Sequence, residues 1–198
     1  MKLQFRKLLT AGLLALVAVS TPALSQDTGW YVGLGVGQSK FDVDCTGTTS
    51  CDDKDTAWSI FGGYQFNKHF GAELGYVDLG KVTASGPVLG VPVSLSIKTK
   101  AFELLGVGTY PINQQFSVYG KLGFFRWDVD ASASALGASA SDSDSGTDFT
   151  HAIGVKYNFT KTIAGTLQWQ RYYNIGSDDT TGGTSDVDVI GVGIIFKF

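Results

Sequence analysis

The chain has 198 residues, a formal net charge of -3, 43% hydrophobic residues, 26 glycines and 17% charged residues. Its acidic balance excludes the basic footprint of a nucleic-acid-binding protein and leaves no basic amphipathic stretch for lying on an anionic membrane surface. Beyond the first 25 residues every apolar run is broken by Gly, Asp, Lys or Gln within about ten positions, short of the roughly 20 that a membrane-spanning helix needs.

At the N-terminus Lys2, Arg6 and Lys7 precede an apolar run from Leu8 to Val19, and Ala23 and Ser25 supply small residues for a cleavage site before Gln26. Residues 1–25 are therefore expected to be an export signal and residues 26–198 a single domain, with a retained helix as the weaker alternative. Removing the signal leaves 12 Lys and Arg against 18 Asp and Glu.

The domain offers eight segments of alternating character, near Trp30–Phe41, Ala57–Phe66, Phe70–Leu79, Leu95–Tyr110, Phe116–Val129, Phe149–Phe159, Ile163–Tyr173 and Val187–Phe198. In the first, Trp30, Val32, Leu34 and Val36 alternate with Tyr31, Gly33, Gly35 and Gly37; in the last, Ile190, Val192, Ile194 and Phe196 alternate with Gly191, Gly193, Ile195 and Lys197. A soluble β-domain would bury the bulky face and show water the other, which here is largely glycine. A closed barrel in hydrocarbon does the reverse, and it satisfies every backbone N–H and C=O without an edge. The expected fold is all-β, an eight-stranded antiparallel transmembrane β-barrel.

Connection lengths alternate as such a barrel requires. Asn67–His69, Asn113–Gln115 and Thr160–Thr162 are short turns, whereas the other connections run to about 13 to 18 residues. Short turns and termini are placed in the periplasm, long loops outside. Of the 16 Asp residues, 15 fall in or beside those long loops. The stretch Ala131–Gly146, almost wholly Ala, Ser, Gly and Asp, reads as a mobile surface loop. Cys45 and Cys51 both fall in the first long loop of an exported chain, where a disulfide is expected; two cysteines without nearby histidine make a poor zinc site.

Carried inward, the alternation places Glu73, Glu103, Lys121 and Lys156 in the lumen, with Gln168, Gln170 and Tyr119 beside them and Lys197 nearer the periplasmic rim. An unpaired charge there is expensive, so the four are expected to pair as a plug; an ion path along them is the alternative. Tyr64, Phe66, Phe70, Tyr110, Phe116, Tyr157, Phe159 and Phe198 suit a periplasmic-side aromatic girdle, and Trp127, Tyr172 and Tyr173 an outer rim. No nucleophile is set beside His69 or His151 at a specific spacing, and no phosphate loop or cofactor motif is present, so neither catalysis nor a cofactor is expected.

Several motifs occur in a specific order: Trp30-Tyr31-Val32-Gly33, Phe61-Gly62-Gly63-Tyr64-Gln65-Phe66-Asn67, Glu73-Leu74-Gly75-Tyr76, Tyr110-Pro111-Ile112, Val118-Tyr119-Gly120-Lys121-Leu122-Gly123, Val155-Lys156-Tyr157 and Asn174-Ile175-Gly176. Together they resemble the OmpA-like transmembrane barrel and its small porin-family and opacity-type kin, over nearly all of residues 27–198. The resemblance implies a polar, salt-bridged interior and insertion by the outer-membrane assembly machinery through a last strand ending in Phe. It sets Glu73 at the family's interior glutamate and Lys121 at an interior basic position. Thr166, Gln168 and Val107 depart from charged positions of the best-known member, so its charge-pair gate does not carry over. A chain ending at Phe198 also leaves no periplasmic wall-binding domain to expect.

The functional expectation is a monomeric protein of a Gram-negative outer membrane, in contact with its lipids and lipopolysaccharide, with a structural and surface-interaction role. A narrow porin-like channel for small solutes or apolar molecules is the main alternative, and a lipid-modifying barrel enzyme the remote one.

Overall fold

The computed structural model describes residues 28–43, 49–88, 91–135, 138–177, 179 and 181–198; the expected export signal and Cys45 lie outside them. Among the described residues nine strands form: β1 (Gly29–Phe41), β2 (Ser50–Asp52), β3 (Lys54–Gln65), β4 (Phe70–Val88), β5 (Val91–Pro111), β6 (Phe116–Ala135), β7 (Ala138–Asn158), β8 (Ile163–Ile175) and β9 (Ser185–Lys197). Each long strand pairs antiparallel with its neighbours, and β1 closes the ring on β9 from Tyr31 opposite Lys197 to Phe41 opposite Val187. Eight strands make the barrel. The ninth, β2, is a short ribbon on the extracellular stretch of β4.

The expected inside-out alternation is what closes this ring. Leu34, Ile60, Leu104, Phe124 and Ile190 are more than half exposed on the outer wall, while Ser39, Leu105, Phe125, Ala164 and Val187 on the alternate positions are buried. Such an apolar exterior belongs in hydrocarbon.

The inward glycines are not simply gaps. Gly33 lies opposite Phe61, Gly63 opposite Tyr31, Gly154 opposite Tyr119 and Gly146 opposite Trp127, and a Cβ at each would overlap that ring. The missing side chain on one strand thus makes room for an aromatic ring lying across it from the next, the device by which sheets cover glycine positions.

Two expectations about the extracellular side require correction. The long connections after β4 and β6 are mostly strand: Lys81–Val88 pairs with Val91–Lys98, and Ala131–Ala135 pairs with Ala138–Asp142. The Ala/Ser/Asp stretch read as a mobile loop is a hairpin, because ladder hydrogen bonds continue a register fixed within the barrel and need no apolar burial of their own. The expected setting of the cysteines is also corrected: Cys51 lies in β2 opposite Ala84 rather than in an open loop, and its thiol is not free, while its expected partner Cys45 lies outside the described residues.

A bulge between Asp78 and Gly80 ties the first connection to the wall. Gly80 takes φ of +84°, its N–H donates to Asp78 Oδ1 at 3.0 Å, and Asp55 occupies the space where a side chain would stand. Asp55 Oδ2 in turn accepts the Lys81 N–H at 2.8 Å. Glycine suits this conformation because it carries no Cβ.

Candidate functional site

The lumen is built in three levels. On the extracellular side Phe41, Val77, Leu79, Phe125, Trp127 and Val187 pack into one buried apolar cluster with Tyr172 and Ile175. Phe125 meets Tyr172 edge to face at 5.0 Å, and Trp127 Nε1 donates to Asp148 Oδ2 at 2.9 Å. Trp127 and Tyr172 were expected at the outer rim and are instead 4% and 2% exposed inside the barrel. Their strand parity carried the signal: Trp127 shares a face with Lys121, and Tyr172 with Gln170, so a strict two-residue period turns both inward. Tyr173 does face outward, stacked with Phe149 and His151, which also meets Trp169. His151 is therefore part of an external aromatic band.

At mid-height lie the charged side chains. Lys121 Nζ is 2.5 Å from Glu73 Oε2, with both side chains almost fully buried, and Tyr31 OH donates to Glu73 Oε1 at 2.8 Å. Lys121 also stands over the rings of Phe61 and Tyr119, at 4.7 and 5.5 Å. This carboxylate thus has a cation, a phenol and aromatic faces around it, which offset the cost of removing the pair from water.

Glu103 is served differently. Its Oε2 accepts from Gln170 Nε2 at 2.9 Å and from Tyr172 OH at 3.1 Å, and the chain continues as Gln168 Nε2 to Gln170 Oε1 and Tyr119 OH to Gln168 Oε1. Gln170 also donates to Thr150 Oγ1. Of the four expected charges, the structure brings Glu73 and Lys121 into contact, gives Glu103 neutral donors, and leaves Lys156 lower down with no hydrogen bond or ion pair from the described residues. Sequence reasoning named Gln168 and Gln170 as polar neighbours, but their bridging role depends on which strands face one another across the lumen.

Below this level the barrel is hollow. A cavity of about 1170 Å³ reaches from Glu73 and Lys121 to the periplasmic turns, lined by Thr109, Ser117, Tyr119, Lys156, Asn158 and Thr166 among others. Lys197 Nζ donates to Asn158 Oδ1 at 2.6 Å. Val107 and Thr166, two of the departures noted in the sequence, face this space and bring no charge to it. No group of three or more residues suited to hold a metal ion occurs among the described residues.

Comparison with known proteins agrees with this architecture. A model of the OmpA-like transmembrane domain matches residues 25–198. Outer membrane protein A of Klebsiella aerogenes is 32% identical over 193 residues, covering 93% of this chain and 53% of that protein, so the chain spans about half the length of the curated relatives it matches. Among solved structures, OprG from Pseudomonas aeruginosa superposes with a TM-score of 0.54 at 16% identity, covering 87% of this chain and 98% of the other. Ail, the attachment invasion locus protein of Yersinia pestis, gives 0.53 at 18% identity over 86% and 99%. These two share the fold. The protein is an integral outer-membrane β-barrel, its long hairpins extracellular and both ends of its ring periplasmic. With a matching model that runs the length of the ring, the chain belongs to the OmpA-like transmembrane domain family.

Proposed function

We propose that this barrel is a closed wall element that presents long hairpins at the cell surface, and that it is not a conduit. The observation that carries this reading is the apolar cluster around Phe125, Trp127 and Tyr172, which fills the extracellular half of the lumen above the Glu73–Lys121 pair. Ions would have to cross dry, packed side chains, and an eight-stranded wall is just wide enough to be filled by its own residues. Planar-bilayer recordings should show no stable conductance steps, either from the parent or from a variant with the β4–β5 and β6–β7 hairpins shortened. Steady single-channel steps from the parent would establish the channel reading instead.

Contact with lipopolysaccharide is supported by Lys40 and Lys54. They are direct cross-strand partners, both exposed, and stand on the outer wall beyond Val36 and Trp58. Like charges directly opposite each other destabilise a sheet; Asp188, opposite Lys40 on β9, meets part of this charge, and lipid phosphate at the extracellular interface supplies a further anion. Melting temperature should rise when lipopolysaccharide replaces zwitterionic lipid in the bilayer, and Lys40→Gln with Lys54→Gln should remove most of that increment. An undiminished increment would exclude these lysines as the contact.

Export with cleavage before Gln26, a monomeric state and insertion by the outer-membrane assembly machinery complete the proposal. Intact mass of membrane-extracted protein tests the first. Sedimentation in detergent tests the second, and loss of membrane insertion on depleting the machinery tests the third.

A further inference from the structure

We propose that the periplasmic half of the lumen is a blind binding site for a small, multiply charged soluble anion of the phosphate-bearing class. The inference goes beyond the wall-element reading and rests on how charge is distributed inside the barrel.

Five of the 12 basic residues that follow the expected signal line this cavity or its mouth: Lys121, Lys156 and Lys197 in the wall, Lys68 and Lys161 in the turns. Among the described acidic side chains only Glu73 lines it, and Glu73 is already engaged by Lys121 and Tyr31. An acidic protein has therefore gathered cations around one hollow. The concentration is positional, because Lys156 and Asn158 are successive inward residues of β7 and the Lys197 head is held on Asn158. Two ammonium groups thus project into the same space about one inward step apart, roughly 7 Å along a strand.

No hydrogen bond or ion pair from the described residues holds Lys156, and the carboxylate in its cavity, that of Glu73, is already engaged by Lys121. Like charges enclosed by a low-dielectric wall repel, and the same wall concentrates their field on an anion that enters. Lysine is a point-charge ligand with three rotatable donors, suited to phosphate oxygens from any direction, and Ser117, Asn158 and Thr166 add hydrogen-bonding groups to the lining. The cavity, about 1170 Å³, exceeds the usual range of small-molecule sites and leaves room for the organic part of such a solute. Closure above by the Glu73–Lys121 pair and the apolar cluster makes it a place of retention, not of passage.

The test uses the full protein in nanodiscs of zwitterionic lipid, titrated with inorganic pyrophosphate and followed by backbone NMR. Saturable shifts are expected at Ser117, Asn158 and Thr166, with none at Val82 or Ile175 in the extracellular half. Lys156→Gln should weaken the apparent affinity at least tenfold, and Lys197→Gln serves the same purpose if the first variant does not fold. Lys81→Gln, on the extracellular side, should change it less than twofold. Citrate in place of pyrophosphate should bind more weakly; equal binding would reduce the specificity to any polyanion and overturn the phosphate assignment. Shifts that appear only when phosphatidylglycerol is added, with none from pyrophosphate, would put a lipid headgroup in the cavity and overturn the proposal. So would pyrophosphate binding that survives both lysine substitutions unchanged.

Discussion

Above the Glu73–Lys121 pair the inward side chains are Phe41, Leu79, Phe125, Trp127 and Tyr172; below it they are Thr109, Ser117, Lys156, Asn158 and Thr166. The same strands, with the same two-residue alternation, thus enclose a packed core at one end and a hollow at the other. The difference lies in what each set of side chains can do without water. Aromatic and branched aliphatic groups gain by mutual contact and leave no room for solvent. Hydroxyls, amides and ammonium groups lose hydrogen bonds if packed dry, so a chamber open to the periplasm serves them better. The ion pair stands at the boundary, with apolar packing on one side of it and the open chamber on the other.

The sharpest way to break this contrast is to hollow out the packed half. Phe125→Ala removes a ring that is 1% exposed and in edge contact with Tyr172, and should cost about 3–5 kcal/mol of stability in urea titrations of the lipid-reconstituted barrel. It should also admit small-ion leakage. A change under about 1 kcal/mol would mean that this cluster is not a core.

Next in size is the boundary itself. Lys121→Met leaves the Glu73 carboxylate with Tyr31 alone, at an expected cost of about 2–3 kcal/mol, moderated because water in the cavity can reach the orphaned oxygen. Glu103→Gln should cost less, about 1 kcal/mol, since its partners Gln170 and Tyr172 are neutral. Equal losses for the two would place Glu103 in the ionic network after all. Comparing the two unfolding curves under one lipid composition decides it.

The smallest effect belongs to the hollow half. Lys156→Gln should leave stability within about 0.5 kcal/mol of the parent, or raise it, because it removes a cation that no described residue holds by a hydrogen bond or ion pair. Lys161→Gln in the exposed turn should behave alike. If Lys156→Gln instead destabilised the protein as much as Lys121→Met, the cavity lysine would be a member of the buried pair network and the contrast between the halves would fail.

Much of this was legible in the chain. The wall was, because in a membrane barrel one face of every strand must be apolar, and Leu34, Ile60, Leu104 and Ile190 keep that face without interruption. The inward placement of Glu73, Glu103, Lys121 and Lys156 followed from the same parity. Their partners were less accessible, since Glu73 and Lys121 are 48 residues apart and Glu103 and Gln170 are 67 apart. Parity says which side of the wall a residue takes, and says nothing of which residue faces it across the lumen. The Ala131–Gly146 stretch was misread for a related reason: its composition cannot form a core, but a ladder extended from a paired barrel strand does not need one.

The sequence by itself determined the number of barrel strands, which face of each meets lipid and which turns are short, because those properties are local and repeat with the pleat. Only the tertiary structure decided that Trp127 and Tyr172 join an internal core, that Lys121 serves Glu73 while Gln170 and Tyr172 serve Glu103, and that Lys156 is left over a cavity. Those outcomes depend on the stagger of eight strands around a closed ring. Closure sets the height of each inward side chain against all the others, a constraint that no single strand carries.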